Sequence, residues 1–417
     1  MKHLLKKKEL LLVFLIFIVF LFTRFYQLEE RSEFRWDQVD NAWAAKDILI
    51  DGKLPLVGMV AKQNTGFYIG PLYYYFVTPF YWFFNFDPIA SAVIGRVASI
   101  ITFVILYIVT KKIFGKATAL LSIVLYALSF FIINADAYQW PINFIPIVSL
   151  VIFYFLYRVI SGNEKDIIPL SIFTGLSFHL NFTAVFFPII IALSSPFFPR
   201  TKKIVKYLLI GLLLFTLFLI PNVIYELQNK GTSTSHMFSY IDSYYHGFHL
   251  RRLFQLTSLA FIEYKAFFSV FNAEWVGFLV LPLFSISLWF SNIAKKYLLL
   301  FLNILWLVVP WGVFSLYTGE ITNYYFSLSI LLVLINIAFI LATLLQSKNL
   351  IFRISAVSFI MLFAYINIAK FLSFQIQGID YHKEQVRKKI IDGNKINFTQ
   401  GDPQSFIYYI YKERFEK

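Results

Sequence analysis

GPLYYYFVTPFYWFFNF, residues 70–86, can be read as a membrane span or as a helix lying on a membrane surface, and the direction of every later helix depends on which it is. Its Tyr and Trp favour the headgroup region and Pro79 interrupts it, so the composition predicts an interfacial helix. The flanking charges agree. Met1–Lys8 is basic and precedes an apolar run, Leu10–Phe25, that reaches spanning length if Lys8, Glu9 and Arg24 snorkel at its ends. No small-residue cleavage site follows, so this run is expected to be a retained first helix with its basic end cytoplasmic. Ile89–Val109 then leads to Lys111, Lys112 and Lys116. If residues 70–86 crossed the membrane, that cluster would lie outside; as an interfacial helix they leave it inside, where positive loops belong.

Working outward, composition sets the class. The 417 residues are 59% hydrophobic, 20% aromatic and only 14% charged, more apolar surface than a globular core can bury. The chain is expected to be an all-α polytopic membrane protein. Its net charge of +14 sits in short clusters between apolar runs, so it reads as topology signal and lipid contact, not as a nucleic-acid surface. With no Cys, disulfides and thiolate metal sites are excluded. Taking the remaining basic clusters in turn, with Arg200, Lys202, Lys203 and Lys206 the strongest, gives about eleven transmembrane helices and an external C-terminus. Leu253–Phe271 carries Glu263 and Lys265 in its middle and reads as a surface or re-entrant element. The transmembrane body is assigned to residues 1–372, with a first external loop over 28–88 and a short external segment over 373–417. No internal repeat is visible, which counts against the repeat-built transporters.

The first loop holds EFRWDQVDNAWAAKDILID, residues 33–51. Val39, Ala42, Trp43, Leu49 and Ile50 recur at helical spacing, with Asp40, Asn41 and Asp47 on other faces, and Gly52 and Pro55 end the pattern. Asp37 followed by Asp40 just before a helix is a capping arrangement, in which the carboxylate accepts backbone N–H bonds. Polar residues elsewhere concentrate on the outer side: near Asp136, over 226–252 and at 320–323. Asn397-Phe398-Thr399 matches an N-glycosylation pattern and is given no role.

In order along the chain, Asp37-Gln38, the Ala-rich stretch at Ala42, Ala44 and Ala45, Gly52, Gly70-Pro71-Leu72-Tyr73-Tyr74, Gly95-Arg96-Val97-Ala98-Ser99, Leu219-Ile220-Pro221 and Asn323-Tyr324-Tyr325 resemble the GT-C superfamily of integral membrane glycosyltransferases. The pattern is similar to that of the protein O-mannosyltransferases and the lipid A aminoarabinose transferases. The resemblance implies transfer of a sugar from a polyprenyl-phosphate donor to a hydroxyl of a cell-envelope lipid, glycan or protein, usually with inversion. It puts the active site on the outer face of the plasma membrane and Asp37 where the family carries its catalytic base.

The resemblance also distributes the remaining roles. Gln38 stands where a Glu is usual, a departure that bears on acceptor contacts. Asp40, Asn143, Asp136, His179 and Tyr73 are candidates for acceptor or sugar binding; Asn143 replaces an acid and cannot serve as a base. The acidic-Lys pair that relatives carry before the Pro-Leu-Tyr element is here Tyr68-Ile69, so the cation for the donor phosphate must come from elsewhere. Arg96 ranks first, then Lys62, with Arg251 and Arg252 behind them. Two carboxylates without further ligands make a poor metal site, so no metal or other cofactor is expected. A flippase of lipid-linked sugars and a ligase or polymerase of preassembled glycans share this body plan and stay open.

Overall fold

The computed structural model describes residues 2–62, 65–245, 247–397 and 399–413. Met1 and the side chains of residues 2–6, at the start of the basic N-terminal run, and Phe398 of the glycosylation pattern lie outside the described residues. Within them the chain is helical, with two isolated β-bridges, Val60 to Tyr68 and Tyr245 to Tyr317.

The first turns of the path decide the topology. Helix α1 (Lys2–Phe25) has 24 residues, about 36 Å of rise. At its start Glu9 is paired with Lys111 and, at 3.3 Å, with Lys116; at its end the carbonyl of Arg24 accepts from Arg96 at 2.7 Å. Arg96 lies near the start of α4 (Ile89–Phe114) and Lys111 near its end, so α4 runs antiparallel to α1. The two short helices between them, α2 (Asp37–Leu49) and α3 (Leu72–Phe83), therefore stay at one end of the bundle. Residues 70–86 do not cross.

Arg24 does not snorkel. It is buried and braces the next span, in which α5 (Lys116–Leu128) and α6 (Phe130–Asp136) meet at a 68° bend around Ser129. That break frees carbonyls at the end of α5, and Arg24 donates to two of them, Tyr126 at 2.8 Å and Ala127 at 2.9 Å, while pairing with Asp136 at 2.9 Å.

Among the described residues, six helices are long and apolar enough to cross a membrane: Ile89–Phe114, Pro141–Ile160, Lys202–Gln228, Lys296–Ser315, Asn323–Gln346 and Leu350–Ser373. The bent pair makes seven. Length and apolarity thus give fewer spans than the sequence count. Ile167–Ser177 has 11 residues, and the apolar stretches Phe182–Phe197 and Glu274–Trp289 are likewise short. Leu253–Phe271 forms short helical pieces, as its charges require, with Glu263 buried. Two polar contacts tie helices together inside the bundle: Asn336 donates to Asn303 at 3.0 Å, and the Trp306 indole donates to the Ser149 hydroxyl at 2.7 Å.

The C-terminal segment folds back on the end of the bundle where α2 and α3 lie. The Ile379 amide donates to the Glu29 carbonyl at 2.8 Å, and Lys383 pairs with Glu29 at 3.0 Å and Asp87 at 2.7 Å. The Phe406 ring packs on Trp43 and Phe34 at centroid distances of 5.0 and 5.7 Å. These contacts fix the helix that carries the acidic pair.

Candidate active site

Helix α2 buries Val39, Ala42 and Ala45, three residues apart, against α3, and carries Asp37 and Asp40 in its first turn and Lys46 in its last. It ends at Ile50, and Gly52 follows at a φ of +67°. The residue before it, Trp36, has a φ of +46°, which a bulky residue adopts only where its surroundings hold it. Here the Trp36 amide donates to the carbonyl of Gly401, at 2.9 Å.

Asp37 opens α2 without capping it. The residue ahead of the first turn is Trp36, and no side chain caps the helix; the bond at this end runs instead from the Arg35 amide to the Gln38 side-chain oxygen at 3.2 Å. Gln38 is buried, and its main-chain carbonyl accepts from the Tyr81 hydroxyl. Asp37 and Asp40, one helical turn apart, both line a cavity of about 790 Å³ together with Trp36, Gly58, Met59, Val60, Tyr68, Tyr74 and Gln400. Burial, reinforced by the neighbouring Asp40 charge, pushes Asp37 up to about 6, against a hydrogen bond with Trp140 that favours its charged form. Burial also raises Asp40, against a hydrogen bond with Gln400.

A larger cavity of about 940 Å³ lies between Ile167–Ser177, Phe186–Ser194 and Lys202–Gln228. It is lined mostly by Ile, Leu, Pro and Phe and contains no acid, so it has no carboxylate for proton transfer.

Three of the predicted residues do structural work instead. Arg96, expected at the donor phosphate, is 3% exposed, and its guanidinium donates to the Arg24 carbonyl, to the Asp136 carbonyl at 3.0 Å and to the Ser32 hydroxyl at 2.9 Å. Each of its three guanidinium nitrogens donates within the packing. Asp136 is the partner of Arg24 and Tyr126, and Asn143 donates to the carbonyls of Ala135 and Tyr138 where α6 ends.

His179 is buried as well. Its Nε2 lies 2.9 Å from the Phe218 carbonyl, and its Nδ1 faces the Leu72 amide at 3.4 Å. The ring passes so close to Gly70 that a Cβ there would meet it at 1.9 Å, so the glycine of the Gly-Pro-Leu-Tyr-Tyr element seats α3 on the neighbouring helices. Tyr73 is buried and accepts from Gln139 at 3.0 Å, whereas the adjacent Tyr74 reaches the cavity, as Tyr68 does.

Two of the predicted cations do come together. Lys62 donates to the Tyr317 hydroxyl at 2.7 Å and the Glu320 carbonyl at 3.1 Å, and Arg252 donates to the carbonyls of Tyr317 and Gly319. Lys62 follows the Gly58–Val60 wall of the cavity by two residues, whereas Arg251 is exposed beside Arg252. Among the described residues, no group of three His, Cys, Asp or Glu could hold a metal ion. Gln400 and Trp140 escaped the sequence reading because nothing local links either to Asp37; chain reversal alone brings the tail to the first loop.

Residues 69–225 match the family model for dolichyl-phosphate-mannose-protein mannosyltransferases. No curated protein sequence matches the chain significantly. Among solved structures, it resembles ArnT from Cupriavidus metallidurans bound to undecaprenyl phosphate, with a TM-score of 0.57 at 11% identity, over 96% of this chain and 74% of that one. The apo ArnT structure aligns with a TM-score of 0.53 at 12% identity, over 96% and 73%. The Archaeoglobus fulgidus oligosaccharyltransferase in complex with Zn and sulfate aligns with a TM-score of 0.52 at 11% identity, over 94% of this chain and 58% of that one. At these identities the likeness is one of fold.

Proposed function

We propose that this chain is an integral membrane glycosyltransferase of the GT-C type that transfers a sugar from a polyprenyl-phosphate donor to a hydroxyl of a cell-envelope lipid, glycan or protein, with Asp37 as the base. The observation that carries this reading is the position of Asp37: uncapped, partly buried and facing a cavity large enough for a sugar and a phosphate. As the acceptor oxygen bonds to the anomeric carbon, the bond from that carbon to phosphate breaks on the opposite face. The hydroxyl proton passes to Asp37, and polyprenyl phosphate leaves. A carboxylate raised to about 6 is still ionised at neutral pH and is a better proton acceptor than an ordinary one.

Lys62 and Arg252, grouped around Tyr317, are the cations on which this reading places the donor phosphate. The undecaprenyl phosphate bound to the ArnT neighbour supports a donor of that lipid class. The catalytic loop is 28–88, the transmembrane body 1–372, and the site faces the outer side of the plasma membrane, with the N-terminus cytoplasmic. The reaction as written needs no metal or other cofactor.

The test is to supply purified, detergent-solubilised protein with radiolabelled polyprenyl-phosphate monosaccharides and an envelope extract. Label moving to an acceptor, with equimolar release of polyprenyl phosphate, supports the reading. Movement of intact donor across a reconstituted vesicle without transfer overturns it in favour of a flippase.

A further inference from the structure

Trp36 and Gln400 each line two cavities. Beyond the one at Asp37 lies a second, of about 520 Å³, enclosed between residues 33–36 and the C-terminal segment. Resting on the reading of Asp37 above, we infer that this second cavity holds a sugar ring of a carbohydrate acceptor, whose reacting hydroxyl reaches Asp37 past Trp36.

The chemistry of the walls selects that class. Trp36 is 67% exposed, and its ring is backed by Gly401, where an added Cβ would lie 2.7 Å from the indole. A rigid, solvent-facing indole suits the apolar face of a sugar ring. Around it stand groups of mixed hydrogen-bonding sense. Glu33 accepts from Arg35 at 2.8 Å and from the Tyr138 hydroxyl at 2.9 Å, which holds both in place. Gln377 is exposed and offers both a donor and an acceptor.

His382 lies on the same wall, and its Nδ1 is buried without a hydrogen-bond partner. Burial holds its imidazole below the usual histidine range, so that it is neutral and can accept from or donate to a hydroxyl. Vicinal hydroxyls supply donors and acceptors in alternation; a lipid tail supplies neither. The tail that builds this wall is the segment whose Gln400 also reaches Asp40, so one piece of chain forms the side shared by both cavities.

The experiment uses the full-length enzyme, a radiolabelled polyprenyl-phosphate sugar and an envelope extract, with two products followed: label on acceptor and label released to water. His382→Ala and Gln377→Ala should each lower the ratio of transfer to hydrolysis by about tenfold, the loss of one good hydrogen bond to substrate. Because this ratio is measured on folded, turning-over enzyme, a misfolded fraction does not mimic the effect, and the exposed Gln377 gives a variant with little packing to lose. Periodate treatment of the extract, which cleaves vicinal diols, should abolish acceptance, while protease treatment should not. An unchanged ratio in both variants, or acceptance lost to protease and kept after periodate, overturns the inference. Wild-type enzyme that releases label neither to acceptor nor to water contradicts the transferase reading itself.

Discussion

The amide of Trp36 and the carbonyl of Gly401 are joined by a 2.9 Å hydrogen bond, so the residue before Asp37 is held by the far end of the chain. Gly401 has a φ of +72° and lies where a Cβ would touch the Trp36 ring. Gly393 has nearly the same φ, +71°, with nothing within 4 Å. Alanine at either position carries a left-handed penalty of about 1 kcal/mol, but only at 401 does it also displace the indole. We predict that Gly401→Ala loses most transfer activity and that Gly393→Ala keeps it, measured side by side at matched amounts of folded protein.

With Asp37 as the proposed base, the transfer reaction is predicted to depend on pH. The base must be ionised, so the rate should rise with pH through about 6 and level off above it. Asp40 is one cause of the raised value, so Asp40→Asn should move the acid limb to lower pH. Stability runs the other way. A carboxyl raised from 3.8 to about 6 binds its proton more tightly when folded, so its contribution is complete below 3.8 and is lost as pH rises through about 6. Thermal midpoints of wild type and Asp37→Asn across that window should converge at the acid end.

Arg24, Arg96 and Asp136 act as a brace, which separates stability from donor binding. Removing one member of a buried ion pair strands the other and costs about 3–5 kcal/mol. Arg24→Met should therefore lower the thermal midpoint sharply. Asp136→Asn, which leaves the buried Arg24 guanidinium without a counter-charge, should lower it as well. Donor affinity of the folded fraction, measured by equilibrium binding, should stay near wild type in both.

The wild-type chain has no Cys, so single-cysteine labelling reads its topology without background. Lys116 lies at the Glu9 end of the bundle and Lys53 at the Asp37 end. Cysteines at these two positions should react with an impermeant maleimide from opposite sides of sealed vesicles. Labelling from the same side would return residues 70–86 to the membrane.

What could be read in the sequence follows from how local each signal is. The aromatic and proline content of residues 70–86 and the lysines at 111–116 are short-range features, and they placed α3 at the surface and set the direction of α4. Asp37 could be singled out, but whether it capped α2 depended on backbone geometry at Trp36 that no propensity describes. The inward use of Arg96 is not legible locally, because an arginine at a helix start looks the same in sequence whether it meets a ligand or three internal oxygens. Gln400 and His382 were invisible for a simpler reason: they reach the site only because residues 379–410 pack on residues 29–43. The span count differed because runs such as Ile167–Ser177 are apolar but too short to cross by length alone.

The role proposed for Asp37 is to take the proton from the acceptor hydroxyl. The direct measurement is transfer from a bound polyprenyl-phosphate sugar in a single turnover, for wild type and Asp37→Asn across pH 5 to 8, with donor occupancy checked in each. A rate that rises through about pH 6 in wild type, and falls by about a hundredfold or more in the variant at equal donor occupancy, is the predicted result. Transfer by Asp37→Asn at the wild-type rate, with the same pH profile, would contradict it.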